Sequence, residues 1–166
     1  MKTDLSYTKV LLLGYTGYIG TMLAEVLLEK GIEVICPIRN KKNFKKKRNI
    51  VFVDISQIES FLKRLSIKPT TIISCIASRK GGISDSWEVE YSLNKFFLEL
   101  SKREGIKRFI LVSAICVQKP NLEFQKAKLA FEHLFLQKYQ MNLVEQLVVW
   151  QAQQRTVQIL RIFSTI

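Results

Sequence analysis

Lys9–Gly20 reads KVLLLGYTGYIG, a short apolar run followed by three glycines at the spacing G-x-x-G-x-x-G. Val10–Leu13 is too short for a membrane span or the apolar core of a signal peptide, and it reads as a buried strand. Beyond the glycines an amphipathic stretch continues to about Lys30, which predicts a helix over Ile19–Lys30. A strand, a glycine turn and a helix in that order give the spacing a physical meaning. Gly14 makes the tight turn, Gly17 lets backbone N–H groups approach a pyrophosphate, and Gly20 lets the helix pack close to the strand. The anion then meets the positive end of the helix. The dinucleotide-binding candidates are therefore Gly14, Tyr15, Thr16, Gly17, Tyr18, Ile19 and Gly20. The alternative is a glycine-rich turn that binds nothing.

The rest of the chain repeats the alternation. Glu33–Arg39 (EVICPIR), Ile50–Asp54 (IVFVD), Thr71–Ile76 (TIISCI) and Phe109–Ser113 (FILVS) read as further strands. Ile58–Leu65, about Trp87–Arg103 and Leu122–Lys138 read as helices. Near-continuous Val, Ile and Leu in strands separated by helices describes an α/β fold. The expected architecture is a Rossmann-type, doubly wound parallel sheet with helices on both faces. Pro37 is awkward in a central strand, so the second strand is expected to bend or end there. No internal repeat or low-complexity linker is present. At 166 residues and 48% hydrophobic, the chain can bury one sizeable core.

The end of the second strand selects the dinucleotide. An acid there accepts the adenosine ribose hydroxyls of NAD. This chain has Arg39, with Lys41 close behind, and a guanidinium pairs instead with a 2′-phosphate. NADPH is the expected cofactor; the alternative is that Arg39 merely opens a solvated basic loop. Arg39–Arg48 (RNKKNFKKKR) carries seven basic residues and no acid, more than half of the net charge of +12. Its back half, Lys45–Arg48, reads as a solvated loop, with contact to an anionic membrane surface as the second reading. Only Phe44 interrupts the run, so no specific nucleic-acid partner is expected.

Cys36, Cys75 and Cys116 are far apart with no C-x-x-C pair, which excludes a zinc site or a disulfide scaffold as the expectation and fits a reducing compartment. With no signal peptide or transmembrane segment evident, the expected setting is a bacterial cytoplasm or a plastid, in the stroma or at the thylakoid.

Three stretches together carry a family likeness: GYTGYIG, SCIASRKGGISDSW and SAICVQKPNLEFQKAKLAFE. From about Thr8 to about Tyr139 the sequence resembles the divinyl chlorophyllide 8-vinyl reductases, an atypical, NmrA-like branch of the short-chain dehydrogenase/reductase superfamily. The first stretch is common to the superfamily; the other two are specific to the branch. The resemblance implies NADPH-dependent reduction of the 8-vinyl group of a divinyl (proto)chlorophyllide to ethyl. In related reductases a Tyr-x-x-x-Lys pair is catalytic, and here Phe124 and Lys128 stand at that spacing, as in the branch itself. A tyrosine protonates the oxygen that carbonyl reduction charges. A conjugated vinyl group has no such oxygen. Lys128, one helical turn after Phe124, is implied to hold the nicotinamide ribose.

The same resemblance places further residues. Ser113 stands at the superfamily's catalytic Ser or Thr, here with a role in orienting the nicotinamide. Asp54 is implied to approach the adenine amino group with Ile55 beside it, although a surface acid closing a strand reads almost as well. Ile76, Ala77 and Ser78, in SCIAS, border the cofactor. Arg79, Gly81 and Gly82, with Trp87, belong to the loop that reaches the nicotinamide end or the substrate. His133 and the cysteines are given no chemistry.

Past about Gln140 the resemblance ends, at MNLVEQLVVWQAQQRTVQILRIFSTI. The expected organisation is a dinucleotide-binding domain over residues 1–140 and a divergent tail over 141–166, without the family's substrate portion. Three readings follow: a reductase domain, a non-catalytic NADPH-binding regulator or assembly factor, and a shortened product prone to association through an exposed sheet edge.

Overall fold

A computed structural model describes residues 9–39, 49–78, 82–114 and 117–138. Five parallel strands, β1 (Lys9–Leu13), β2 (Glu33–Ile38), β3 (Ile50–Asp54), β4 (Thr71–Ser74) and β5 (Arg108–Leu111), form one sheet in the order β3-β2-β1-β4-β5. That order reverses direction between β1 and β4, so the carboxyl ends of those two strands flank the crevice where ligands of such sheets bind.

The apolar runs are continuous because both faces are covered. Val10 and Leu12 of β1 pack against Leu23, Ala24 and Leu27 of α1 (Tyr18–Glu29). Leu11 and Leu13 point the other way. They join Ile58 and Leu62 of α2 (Ile58–Arg64), Phe97, Leu98 and Leu100 of α4 (Asn94–Arg103), and Phe131 and Phe135 of α5 (Glu123–Lys138). Phe109, Phe131 and Phe135 form a ring cluster with centroids 5.5–6.1 Å apart, which docks α5 on the end of the sheet. Each fully buried Phe there stabilises the docking by about 2–3 kcal/mol.

Two expectations shift. The second strand does not bend or end at Pro37 but runs through it to Ile38. Pairing with β1 stops at Leu11–Ile35, whereas pairing with β3 continues through Pro37–Val53. Pro37 thus sits where the strand has one paired neighbour, a position that tolerates a missing N–H. The helix expected from Trp87 begins earlier, with α3 (Ile83–Ser86), and continues through a π-helical stretch, Trp87–Leu93, into α4. The wider turn departs from the 3.6-residue period of an α-helical pattern.

Candidate active site

Gly14 ends β1 with φ +85°, a backbone region that L side chains rarely adopt. A Cβ there would also lie 2.6 Å from the carbonyl oxygen of Cys75, just past β4. The backbones at the two strand ends are therefore in contact at the point where the sheet order reverses. Gly20 is tighter still: its Cβ would lie 2.2 Å from the carbonyl oxygen of Gly14. Gly17 has room, its nearest such contact being 3.4 Å, and serves as the N-cap of α1 with no side chain capping the helix. The first intrahelical bond runs from Thr21 N to Gly17 O, so the amides of Tyr18, Ile19 and Gly20 precede it. The Thr21 hydroxyl donates to the carbonyls of Tyr15 and Gly17, 2.8 and 3.0 Å away, and fixes the turn from within. The result is a helix N-terminus with its dipole aimed along the turn, the arrangement that takes a diphosphate.

A cleft of about 840 Å3 opens at this end of the sheet. Its wall includes Gly14, Tyr15, Thr16 and Gly17 from the turn, and Arg39 and Ile55 from the ends of β2 and β3. Cys75, Ile76 and Ala77 close it after β4, and the π-helical stretch adds Glu88 and Val89. Its size is that of pockets that hold small ligands and cofactors. The Tyr15 ring turns away into the core, edge-on to Phe52 at 5.1 Å, leaving its backbone to the cleft. Arg39 is exposed at the rim. Tyr18, Ile19 and Gly20 do not line the cleft; Tyr18 and Ile19 project outward at the start of α1, Tyr18 being 81% exposed. One Asp54 carboxylate oxygen accepts from Ser56 N and Ser56 Oγ, at 2.9 and 2.6 Å, and so caps the 3₁₀ turn Ile55–Gln57. Lys41, Arg79, Gly81 and Cys116 lie outside the described residues, as do the basic run after Arg39 and the tail from 139. Gly82 is exposed at the start of α3.

Beside the cleft is a polar cluster in an otherwise apolar interior. Lys128 is 4% exposed, and its Nζ lies 2.7 Å from Oε2 of Glu90, which is 1% exposed. Lys128 Nζ also donates to the carbonyl of Val112 at 3.4 Å, at the end of β5. The other Glu90 oxygen accepts from the backbone N–H of Ser78 at 2.8 Å. Asn94 Nδ2 donates to the Glu90 carbonyl at 2.9 Å, and Ser74 Oγ donates to Asn94 Oδ1 at 2.6 Å. The chain thus bonds the carboxyl end of β4 to the π-helical stretch and to α5. Ser113, also buried, donates its hydroxyl to the buried Glu132 carboxylate. Phe124 is half-buried one turn before Lys128, and His133 is exposed.

The sequence does not single out Glu90, Asn94 or Glu132, and it marks Ser74 only as the start of SCIAS, whose backbone is expected to border the cofactor. A signal existed for two of them: Glu90, Asn94, Phe97 and Ser101 recur at helical spacing and are all buried on one stripe. A carboxylate on a buried stripe requires a partner, and only the fold brings Lys128 to it.

Burial pushes the thiols of Cys36 and Cys75 from 9.0 up to about 12, the nearby Lys128 charge opposing the rise at Cys75. Both stay protonated in the folded protein at neutral pH. Between pH 9 and 12 an unfolded chain releases these protons while the folded one keeps them, so stability falls as pH rises through that window. In a chain carrying Cys75→Ser and Cys116→Ser at pH 7.5, a disulfide reagent is expected to label Cys36 roughly 100-fold more slowly than in denaturant. Labelling at the denatured rate contradicts the burial of Cys36.

The chain matches the NAD dependent epimerase/dehydratase family over residues 10–165. It is 40% identical over 138 residues to the chloroplastic divinyl chlorophyllide a 8-vinyl-reductase of Arabidopsis thaliana, covering 74% of this chain and 33% of that protein. It is 29% identical over 114 residues to the photosystem II assembly factor Ycf39 of Cyanophora paradoxa, covering 66% of this chain and 35% of that one. The chain spans about a third of the length of these curated relatives. Among solved structures, the Bordetella bronchiseptica enzyme WbmG in complex with NAD has the same fold, with a TM-score of 0.67 at 17% identity over 82% of this chain and 52% of that one. Among the described residues no helix is long and apolar enough to cross a membrane.

Proposed function

The chain belongs to the NAD dependent epimerase/dehydratase family, and from that premise we propose that it binds NADPH for reduction of the 8-vinyl group of a divinyl chlorophyllide or its protochlorophyllide precursor. The observation that carries the nucleotide is the Gly14 turn, packed backbone to backbone on Cys75 and Gly20, which presents the N-terminus of α1, capped by no side chain at Gly17, to the cleft. The 40% identity to the Arabidopsis thaliana reductase supports the pigment. That protein is about three times the aligned length, so about two thirds of it lies outside the region shared with this chain. We assign residues 1–140 to the nucleotide and no pigment pocket to the tail.

When bound, the reduced nicotinamide supplies a hydride. The backbone amides behind Gly17 and the α1 dipole would hold the diphosphate, and Arg39 would meet the 2′-phosphate. Ile76 and Ala77 border the nicotinamide side of the cleft. Lys128 would hold the nicotinamide ribose and Ser113 would orient the ring from the end of β5, with contact to the pigment assigned to Arg79, Gly81 and Gly82. Asp54 and Ile55 close the adenine end. Phe124 would need no hydroxyl, because hydride addition to a vinyl group conjugated to a macrocycle would charge no oxygen, and the matching proton could come from water. A plastid setting, stroma or thylakoid surface, accompanies this reading, with a bacterial cytoplasm as the alternative.

Arg39→Ala tests the choice of nucleotide. The expected result is a roughly tenfold weaker Kd for NADPH with that for NADH unchanged, the loss of one charge-assisted contact to phosphate. An unaltered ratio of the two affinities contradicts the assignment. The likeness to Ycf39 favours a second reading, a dinucleotide-binding assembly factor without turnover. Conversion of divinyl chlorophyllide by the purified chain with NADPH supports the reductase; tight NADPH binding without conversion supports the assembly factor.

A further inference from the structure

The polar cluster beside the cleft contains a buried carboxylate, that of Glu90, which has no part in binding in the reading above. Burying a carboxylate and an ammonium costs several kcal/mol each, and a well-packed apolar pair of similar volume would serve stability as well or better. The pair also adjoins the cleft. Ser78, whose amide Glu90 accepts, follows Ala77 in the cleft wall, and the Lys128 charge acts on the thiol of Cys75 in the same wall. Glu90 therefore spends its two oxygens on two elements of one site: Oε1 on the strand-end loop and Oε2 on the ammonium of α5. Its own backbone is pinned in turn through Asn94 to Ser74 at the end of β4.

We propose that Glu90 is a positioning residue for the nicotinamide end of the cofactor site, setting where the Lys128 ammonium stands relative to the Cys75–Ser78 wall. The inference rests on the dinucleotide reading above and deepens it. Lys128 has a long flexible stem, and a carboxylate 2.7 Å from Nζ fixes its tip in one place. A negative charge, not only an acceptor of the right shape, is what holds a buried ammonium there. The π-helical stretch Trp87–Leu93 carries Glu90 to this position on the same buried stripe as Asn94.

Titrations of NADPH, NADH and adenosine 2′,5′-bisphosphate, which carries the adenosine half alone, separate the possibilities. Glu90→Gln is expected to weaken NADPH roughly tenfold, because it leaves the buried Lys128 ammonium without the anion of its ion pair. Glu90→Asp, which keeps the charge and shifts its position, is expected to weaken it only about threefold, because most of the attraction remains. Both leave the affinity for the bisphosphate unchanged. If the role were only to fill space and accept a hydrogen bond, the isosteric Gln would lose less than Asp, and that order overturns the proposal. An equal loss on NADPH and on the bisphosphate also overturns it, as does NADPH affinity within twofold of wild type in both variants. Should Glu90→Gln fail to fold, Glu90→Asp carries the test alone, and unchanged NADPH affinity there overturns the role. A wild-type chain that binds neither NADPH nor NADH removes the dinucleotide reading and this role with it. A wild type that binds all three ligands, followed by variants that behave otherwise than expected, removes the role alone.

Discussion

The Gly20→Ala variant is expected to lose about 3 kcal/mol of stability and most of its affinity for NADPH. On propensity alone the change should help, since alanine in a helix is favoured over glycine by about 1 kcal/mol. Geometry decides the sign. The added Cβ would stand 2.2 Å from the carbonyl oxygen of Gly14 and 2.7 Å from its carbon, both backbone atoms of a turn that already abuts Cys75. Nothing flexible can give way, so α1 must move off the turn. That motion displaces the helix N-terminus from the place where the diphosphate would sit. For a chain of this size the loss corresponds to a fall in Tm of about 10 °C. Gly17→Ala is the control: with its nearest contact at 3.4 Å, it should leave Tm almost unchanged. Equal Tm values for the Gly20→Ala and Gly17→Ala variants contradict the close packing of α1 on the turn.

Lys128→Met should be as damaging, for an electrostatic reason. Removing one member of a buried ion pair typically costs 3–5 kcal/mol, roughly, because the other charge stays buried without compensation. Here the stranded group is Glu90, 1% exposed, which retains only the Ser78 amide as a donor among the described residues. Adding Glu90→Gln to Lys128→Met removes the stranded charge and should restore stability to within about 1 kcal/mol of wild type. Binding of NADPH should not return with it, since the ammonium is gone. Denaturant melts of the four proteins of this cycle supply the check. A double variant no more stable than Lys128→Met alone contradicts an ion pair as what holds this corner of the fold.

The fold was readable where the physics is local. Near-continuous apolar runs bounded by Gly, Asp and Ser gave strands that agree with the sheet to within two residues at their ends. Gly14 and Gly20 were assigned a tight turn and a close approach, and the backbone contacts at both follow that assignment. Of the residues expected around the cofactor, Arg39, Ile76 and Ala77 line one cleft with the glycine turn, whereas Lys128 and Ser113 are not in its lining. Other features depend on partners distant in the chain. Glu90 reads as one of two acids in WEVEYSL until the fold sets it against Lys128. Ser113 reads as a strand-end hydroxyl until Glu132 arrives on α5. The π-helical stretch leaves no mark in a pattern analysed at 3.6 residues per turn. Asp54 is a middle case: a Ser two residues after an Asp is a local capping pattern, and the carboxylate does engage Ser56.

Calorimetric titration of the purified chain with NADPH tests the dinucleotide cradle most directly. Saturable one-to-one binding in the micromolar range is expected, most of it lost in Gly20→Ala. No heat of binding at millimolar NADPH, from a chain shown by circular dichroism to be folded, would contradict it.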